Sequence, residues 1–453
     1  MNRIAGRAKI AWLLAGALVL GLVIFLGEYL FQAKDWVVFS GSPHVYSGSN
    51  LDCGTVLSRD GVVLLDSSDG RVYSDELSLR RSTLHLLGDR YGYISAPALA
   101  GYSSEMVGFD LLNGIYSASG TGGTAVLTVS AQAQEAAQEA LDGYKGVIAV
   151  YNYKTGEILC AVSSPNYDPD DVPDVEEDEA YEGVYVNRFT QATYTPGSIF
   201  KLVTTAAALE EIPDIQSQTF LCEGSYWVEG DEVICTGVHG EVTLRQALMH
   251  SCNCAFAQIA MELGPEALMR YAEKYQITEP VTFDGITTAR GGFDVSGAAN
   301  VNVAWGGIGQ YTDQVNPCRF LTFMGQIAGG GTAAEPYLVQ SVSSGLLSSY
   351  RASTHMTDRV LPASVAATLQ EMMHYTVVYN YGEGNFPDLY VCAKSGTAEQ
   401  GGGQAADGTF AGFTLDEDYP LAFIAIVENG GSGSRTCIPM VSRVLEACME
   451  SMD

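Results

Sequence analysis

A chain of 453 residues, 47% hydrophobic and 10% aromatic, is long enough for two or three domains with a sizeable core. Its formal charge of -30, from 53 acidic against 23 basic side chains, argues against a nucleic-acid binder, whose surface must be basic. The same charge argues against loose adhesion to anionic lipid.

Arg3, Arg7 and Lys9 precede a stretch, Ile10 to Gly27, that carries no charge. Its length suits a helix crossing the hydrocarbon core, which takes about 20 apolar residues. Residues 1–9 are therefore expected as a cytoplasmic tail and residues 10–31 as a single-pass transmembrane anchor, with no basic residue close behind it before Lys34. A cleaved signal peptide is the alternative, but the apolar stretch is long for one and lacks a convincing small-residue cleavage site.

Residues 36–120 read as a β-rich, turn-rich module, with hairpin signals at Asp60-Gly61 and Asp69-Gly70. Small residues at 117–125 mark its end. A helix of strong formers follows over AQAQEAAQEALDGY, stopped near Gly143, and then a hairpin around Lys154-Thr155-Gly156. The acidic, proline-broken segment after Pro165 lacks calcium-loop spacing and reads as a solvated loop.

GSIFKLVTTAAALEEI, stopped by Pro213, is apolar on most sides and is expected as a buried central helix. Ser198 lies at its N-terminal end, three residues before Lys201, a spacing that puts both on one helical face. TLRQALMHSCNCAFAQIAMELGP reads as two helices around a break, with Thr243 and Gln246 at capping-box spacing and a stop at Gly264-Pro265. Strands are expected around 387–400, 410–416 and 419–430, then a closing helix from Cys437.

Ten cysteines are scattered along the chain; no pair or Cys/His block has zinc spacing, so they read as buried thiols. Cys222 and Cys235 are the one pair worth testing for a disulfide.

Three short motifs occur in order: Ser198-Ile199-Phe200-Lys201 (S-x-x-K), Ser251-Cys252-Asn253 (S-x-N), and Lys394-Ser395-Gly396-Thr397 (K-S-G-T). Singly each is cheap. Ser198 and Lys201 could be a chance pair, Asn253 a cap, Ser395 and Thr397 strand-end hydroxyls, Lys394 an edge-strand lysine. A histidine-driven hydrolase has no support, because His250 has no placed acid and no G-x-S-x-G elbow exists.

With these motifs and flanking segments such as VNRFTQATYTPGSIFK, HGEVTLRQALMHSCN and IGQYTDQVNP, the chain resembles the class B penicillin-binding proteins, membrane-anchored cell-wall transpeptidases. The resemblance implies an α/β (α+β) fold: an antiparallel β-lactamase/transpeptidase-like sheet with covering helices over residues 121–453, behind a small β-rich pedestal at 36–120 and the transmembrane helix. It implies Ser198 as acyl-forming nucleophile, Lys201 as base with its pKa lowered by burial and the charge of Lys394, and Ser251 as proton relay. Asn253 would hold the peptide amide, and Lys394, Ser395, Gly396 and Thr397 the donor's carboxylate end. The backbone N–H groups of Ser198 and Thr397 would form the oxyanion hole.

The implied substrates are peptidoglycan stem peptides, with β-lactams acylating the same serine. No cofactor or metal is implied, and a multi-span membrane glycosyltransferase is the implied partner. Two departures stand out: Tyr311 where the family usually has glycine, and Ser395 where threonine is commoner. A carboxypeptidase or β-lactamase, a β-lactam sensor and a non-catalytic wall-synthesis scaffold are the competing readings. The 36–120 module is too short for a glycosyltransferase domain, which speaks against a bifunctional class A enzyme.

Overall fold

The computed structural model describes residues 2–32, 38, 45–68, 70–107, 122–175, 177–344, 347–400 and 403–453. Lys34, Asp69 and the expected boundary residues 117–121 lie outside them.

Helix α1, Asn2–Gln32, contains an apolar stretch from Ile4 to Tyr29 that is long and apolar enough to cross a membrane. Residues 4–26 of it are exposed in the isolated chain, as expected of a helix whose solvent is lipid.

The first sheet has five antiparallel strands: β1 (Gly146–Asn152), β2 (Ile158–Ser164), β3 (Val391–Ala398), β4 (Asp407–Thr414) and β5 (Leu421–Val427), in the order β3-β4-β5-β1-β2. Both faces are covered, so β-branched and aromatic runs persist where an exposed face would alternate with polar residues. Along β1, Val147, Ala149 and Tyr151 enter one core while Ile148 and Val150 enter the other. The second core is closed by helices α2 (Ala131–Ala140) and α8 (Gly433–Met452).

The first core is closed by the helical region. It comprises α3 (Lys201–Glu211), α4 (Leu244–His250), α5 (Asn253–Lys274), α6 (Pro317–Ala328) and α7 (Ala363–Thr376). Helix α3 buries every residue from Lys201 to Ala208, as its apolar sequence required. The expected stop at Gly264-Pro265 is a kink instead: Gly264 takes φ 73° and the helix resumes at once, since proline is tolerated in a first turn.

A second, six-stranded sheet packs beside the first. It joins the antiparallel meander Thr55–Leu57, Val63–Asp66 and Val72–Tyr73 to Thr124–Leu127, Val339–Ser344 and Leu347–Arg351. The hairpins at Asp60-Gly61 and Lys154-Thr155-Gly156 are present. Four short helical pieces between Leu77 and Met106 were not legible as such, being too short to show helical periodicity.

Candidate active site

The chain enters α3 through a 3-10 turn, Gly197–Ile199, which presents a half-buried Ser198. This turn is pressed against edge strand β3. A Cβ on Gly396 would lie 2.3 Å from Thr409 Oγ1, 3.0 Å from the Pro196 carbonyl oxygen and 3.1 Å from Ser198 N. Glycine is required there by proximity. Gly396→Ala should lower the melting temperature, at a cost of about 1–3 kcal/mol for overpacking. It should also slow reaction at Ser198 at least about tenfold by moving the turn. Thermal denaturation and a penicillin-labelling time course check both.

Ser251 is the C-cap of α4 and sits in the left-handed region, φ 56° and ψ 38°, where the chain breaks before α5. Thr243 and Gln246 form the expected capping box at the other end of α4. The break brings S-x-N to Lys201. Its Nζ, fully buried, donates to the Ser251 carbonyl oxygen (2.7 Å), Ser251 Oγ (3.3 Å) and Asn253 Oδ1 (2.7 Å). Lys394, also fully buried, donates from Nζ to Ser251 Oγ (3.0 Å) and to the Ser395 carbonyl oxygen (2.6 Å). One hydroxyl thus stands between two buried amines. Among the described residues no hydrogen bond joins Ser198 Oγ to either lysine.

Burial holds Lys201 down at about 7, against the pull of nearby Cys252, Cys235 and Cys254. Burial, and after it the charge of Lys201, holds Lys394 well below its usual range. The sequence reading assigns the lowering of Lys201 partly to the charge of Lys394. In the structure desolvation is the dominant cause. Two buried ammonium groups sharing one hydroxyl disfavour each other, which leaves an amine free to accept a proton near neutrality.

Ser198, Ser251, Asn253, Ser395, Gly396 and Thr397 line one cavity of about 520 Å³, with Ile234, Cys235, Thr236, Trp305, Ile308, Gln310 and Glu399. Residues 146–446 match the penicillin binding protein transpeptidase domain. The chain belongs to this family. It is 29% identical over 337 residues to the peptidoglycan D,D-transpeptidase PbpA of Mycolicibacterium smegmatis, covering 68% of each chain. With PbpA of Mycobacterium tuberculosis it is 28% identical over 387 residues, 78% of each chain. Penicillin-binding protein A of M. tuberculosis, solved as a ceftriaxone acyl-enzyme complex, superposes with TM-score 0.76 at 25% identity, over 89% of this chain and 99% of that one. With these relatives the chain is a class B penicillin-binding protein.

This penicillin-binding protein has a site residue that the motifs did not reveal. Tyr381 OH donates to Ser395 Oγ (2.8 Å) and accepts from Ser395 N (2.7 Å), fixing the serine of the K-S-G-T motif. Tyr381→Phe should weaken second-order penicillin labelling roughly tenfold, the scale of a lost buried hydrogen bond, without changing the labelled residue. A concentration series of labelling rates reads this directly. Asn253 Nδ2 already donates to the Ile234 carbonyl oxygen (2.9 Å), so this side chain is held at both ends. Tyr311 is 41% exposed and does not line the cavity; its N–H donates to buried Asp313 at 2.9 Å.

The cysteines are buried thiols, as expected: all ten are free, Cys222 and Cys235 included, and all but Cys53 are buried. Cys222, Cys235, Cys252 and His239 nevertheless gather into one group whose ligand atoms lie within 4.8 Å of one another. Linear zinc spacing was absent because the four come from separate elements brought together by β pairing and a helix start.

Proposed function

We propose that this chain is a cell-wall D,D-transpeptidase that cross-links peptidoglycan stem peptides through an acyl-serine, and that β-lactams acylate the same Ser198. The observation that carries the reading is the convergence of two buried lysines on Ser251 Oγ in the wall of the cavity onto which Ser198 opens.

Ser198 Oγ attacks the carbonyl carbon of the penultimate D-alanine, and its proton passes to the neutral Lys201 amine. The tetrahedral oxyanion is held by the backbone N–H groups of Ser198 and Thr397. Collapse breaks the C–N bond, and Ser251, fed by Lys201, delivers a proton to the departing D-alanine amine. An amine from a neighbouring strand then attacks the acyl-serine, loses its proton to the same relay and regenerates Ser198. Asn253 orients the donor amide. Lys394, Ser395, Gly396 and Thr397 take the donor's terminal carboxylate.

The basic residues Arg3, Arg7 and Lys9 before α1 support a cytoplasmic N-terminus and an extracytoplasmic catalytic domain. Residues 36–120 then act as the pedestal and 121–453 as the transpeptidase domain. Gly16 and Gly21 leave small-residue gaps on α1 against which a span of a membrane glycosyltransferase can pack.

The test supplies purified full-length protein with a stem pentapeptide donor and an amine acceptor. Released D-alanine and cross-linked product in equal amounts are expected, together with a penicilloyl adduct that persists. Hydrolysed donor without cross-links, or rapid turnover of penicillin, would replace the reading with a carboxypeptidase or a β-lactamase.

A further inference from the structure

Directly behind the cavity wall, three sulfurs and a ring nitrogen form a compact group. Cys222 Sγ lies 3.4 Å from His239 Nδ1, Cys235 Sγ lies 3.5 Å from the same nitrogen, and Cys235 Sγ lies 3.9 Å from Cys252 Sγ. A tetrahedral zinc ion at about 2.3 Å from sulfur and about 2.0–2.1 Å from nitrogen places two sulfurs about 3.8 Å apart, and sulfur and nitrogen about 3.6 Å apart. The three distances match that polyhedron and not a disulfide, whose sulfurs lie about 2.0 Å apart.

The donors are held by the fold. Cys222 ends strand Thr219–Cys222, which pairs with Gly240–Thr243, so Cys222 stands opposite Gly240 and beside His239. Cys235 follows the hairpin Ser225–Val228/Asp231–Ile234, and Cys252 is the N-cap of α5. The three cysteines are buried and His239 is half-buried, with the His250 ring stacked 4.8 Å from it between centroids. Backbone N–H groups point at two of the sulfurs: Asn253 N to Cys235 Sγ (3.2 Å) and Ala255 N to Cys252 Sγ (3.4 Å). Such donors support thiolates, the form in which cysteine ligates a metal.

We infer that Cys222, Cys235, His239 and Cys252 bind one divalent zinc ion, and that this ion fixes the wall carrying Ser251 and Asn253. Three thiolates with one imidazole are the soft, closed donor set of a structural zinc site. Binding releases the thiol protons to solvent and leaves the imidazole neutral. Cys252 is the middle residue of S-x-N, and Cys235 and Ile234 line the cavity. The ion therefore joins the α4–α5 break to the hairpin, positioning Ser251 in its left-handed conformation and Asn253 between Lys201 and Ile234. It also accounts for adjacent thiols persisting outside the cytoplasm, the placement proposed above, where unligated cysteines would oxidise.

The test uses full-length protein, purified in detergent without a histidine tag from zinc-supplemented medium. Elemental analysis should find about one zinc per chain in wild type and in Cys254→Ser, and less than about a tenth in Cys222→Ser and His239→Ala. Because those variants can misfold, wild type stripped of metal is also titrated with Co²⁺. Thiolate charge-transfer and tetrahedral ligand-field bands, saturating at about one equivalent, are expected. Wild type that retains no zinc and gives no such bands, a Cys222–Cys235 disulfide, or full zinc in both ligand variants overturns the site. For the positioning role, penicillin acylation of the stripped protein should fall at least about tenfold and return on adding Zn²⁺, with Ser198 the labelled residue throughout. An unchanged acylation rate after stripping overturns that role. Zinc content is read without any reaction, so its failure is distinct from a failure of the transpeptidase reading.

Discussion

Lys201→Met should slow acylation of Ser198 by penicillin about 10²- to 10⁴-fold, the usual contribution of a positioned general base. A serine hydroxyl attacks poorly without a base, and Lys201 is the buried amine in the same helical turn region, held down at about 7. Methionine fills the space but accepts no proton. It also leaves the Ser251 carbonyl oxygen and Asn253 Oδ1 without their donor, so the fold is checked by circular dichroism. Time courses of fluorescent-penicillin labelling give the rate. A variant that labels as fast as wild type would remove Lys201 from the reaction.

The pH dependence of acylation is the second large effect. In the proposed mechanism the Lys201 amine acts when neutral, and its pKa is lowered from the ordinary lysine value to about 7, chiefly by burial. The active fraction is therefore present above that value and lost as pH falls through it. Below the midpoint the rate should drop about tenfold per pH unit, and above about pH 8 it should level off. The groups facing Lys201 are Lys394 from β3, the Ser251 and Asn253 oxygens, and Cys252, Cys235 and Cys254. Burial dominates the lowering at Lys201, and the cysteines oppose it. A rate constant across pH 5 to 8 would contradict the assignment of the base, and Lys201→Met should flatten the profile.

Much of this was legible in the residues. Capping-box spacing at Thr243 and Gln246 gave the start of α4, and the polar break at Ser251 its end, because caps act locally on orphan backbone groups. The apolar run behind Ser198 specified a buried helix for the same local reason. The three motifs specified which side chains would meet, and six residues from them line one cavity.

What escaped the sequence depends on contacts made across the fold. Tyr381 arrives at Ser395 from a wide helical turn, Val377–Tyr381, that carries no motif. The zinc-like group draws on Cys222, Cys235, His239 and Cys252, whose proximity exists only once the strand Gly240–Thr243 has paired with Thr219–Cys222. The kink at Gly264 turned on a backbone angle that only glycine adopts easily.

The most direct measurement is peptide mapping by mass spectrometry after the full-length protein has reacted with benzylpenicillin. One penicilloyl group per chain is expected, on the peptide containing Ser198, with none formed by Ser198→Ala. An adduct on another residue, or an unmodified wild-type protein, would contradict the chemistry set out above.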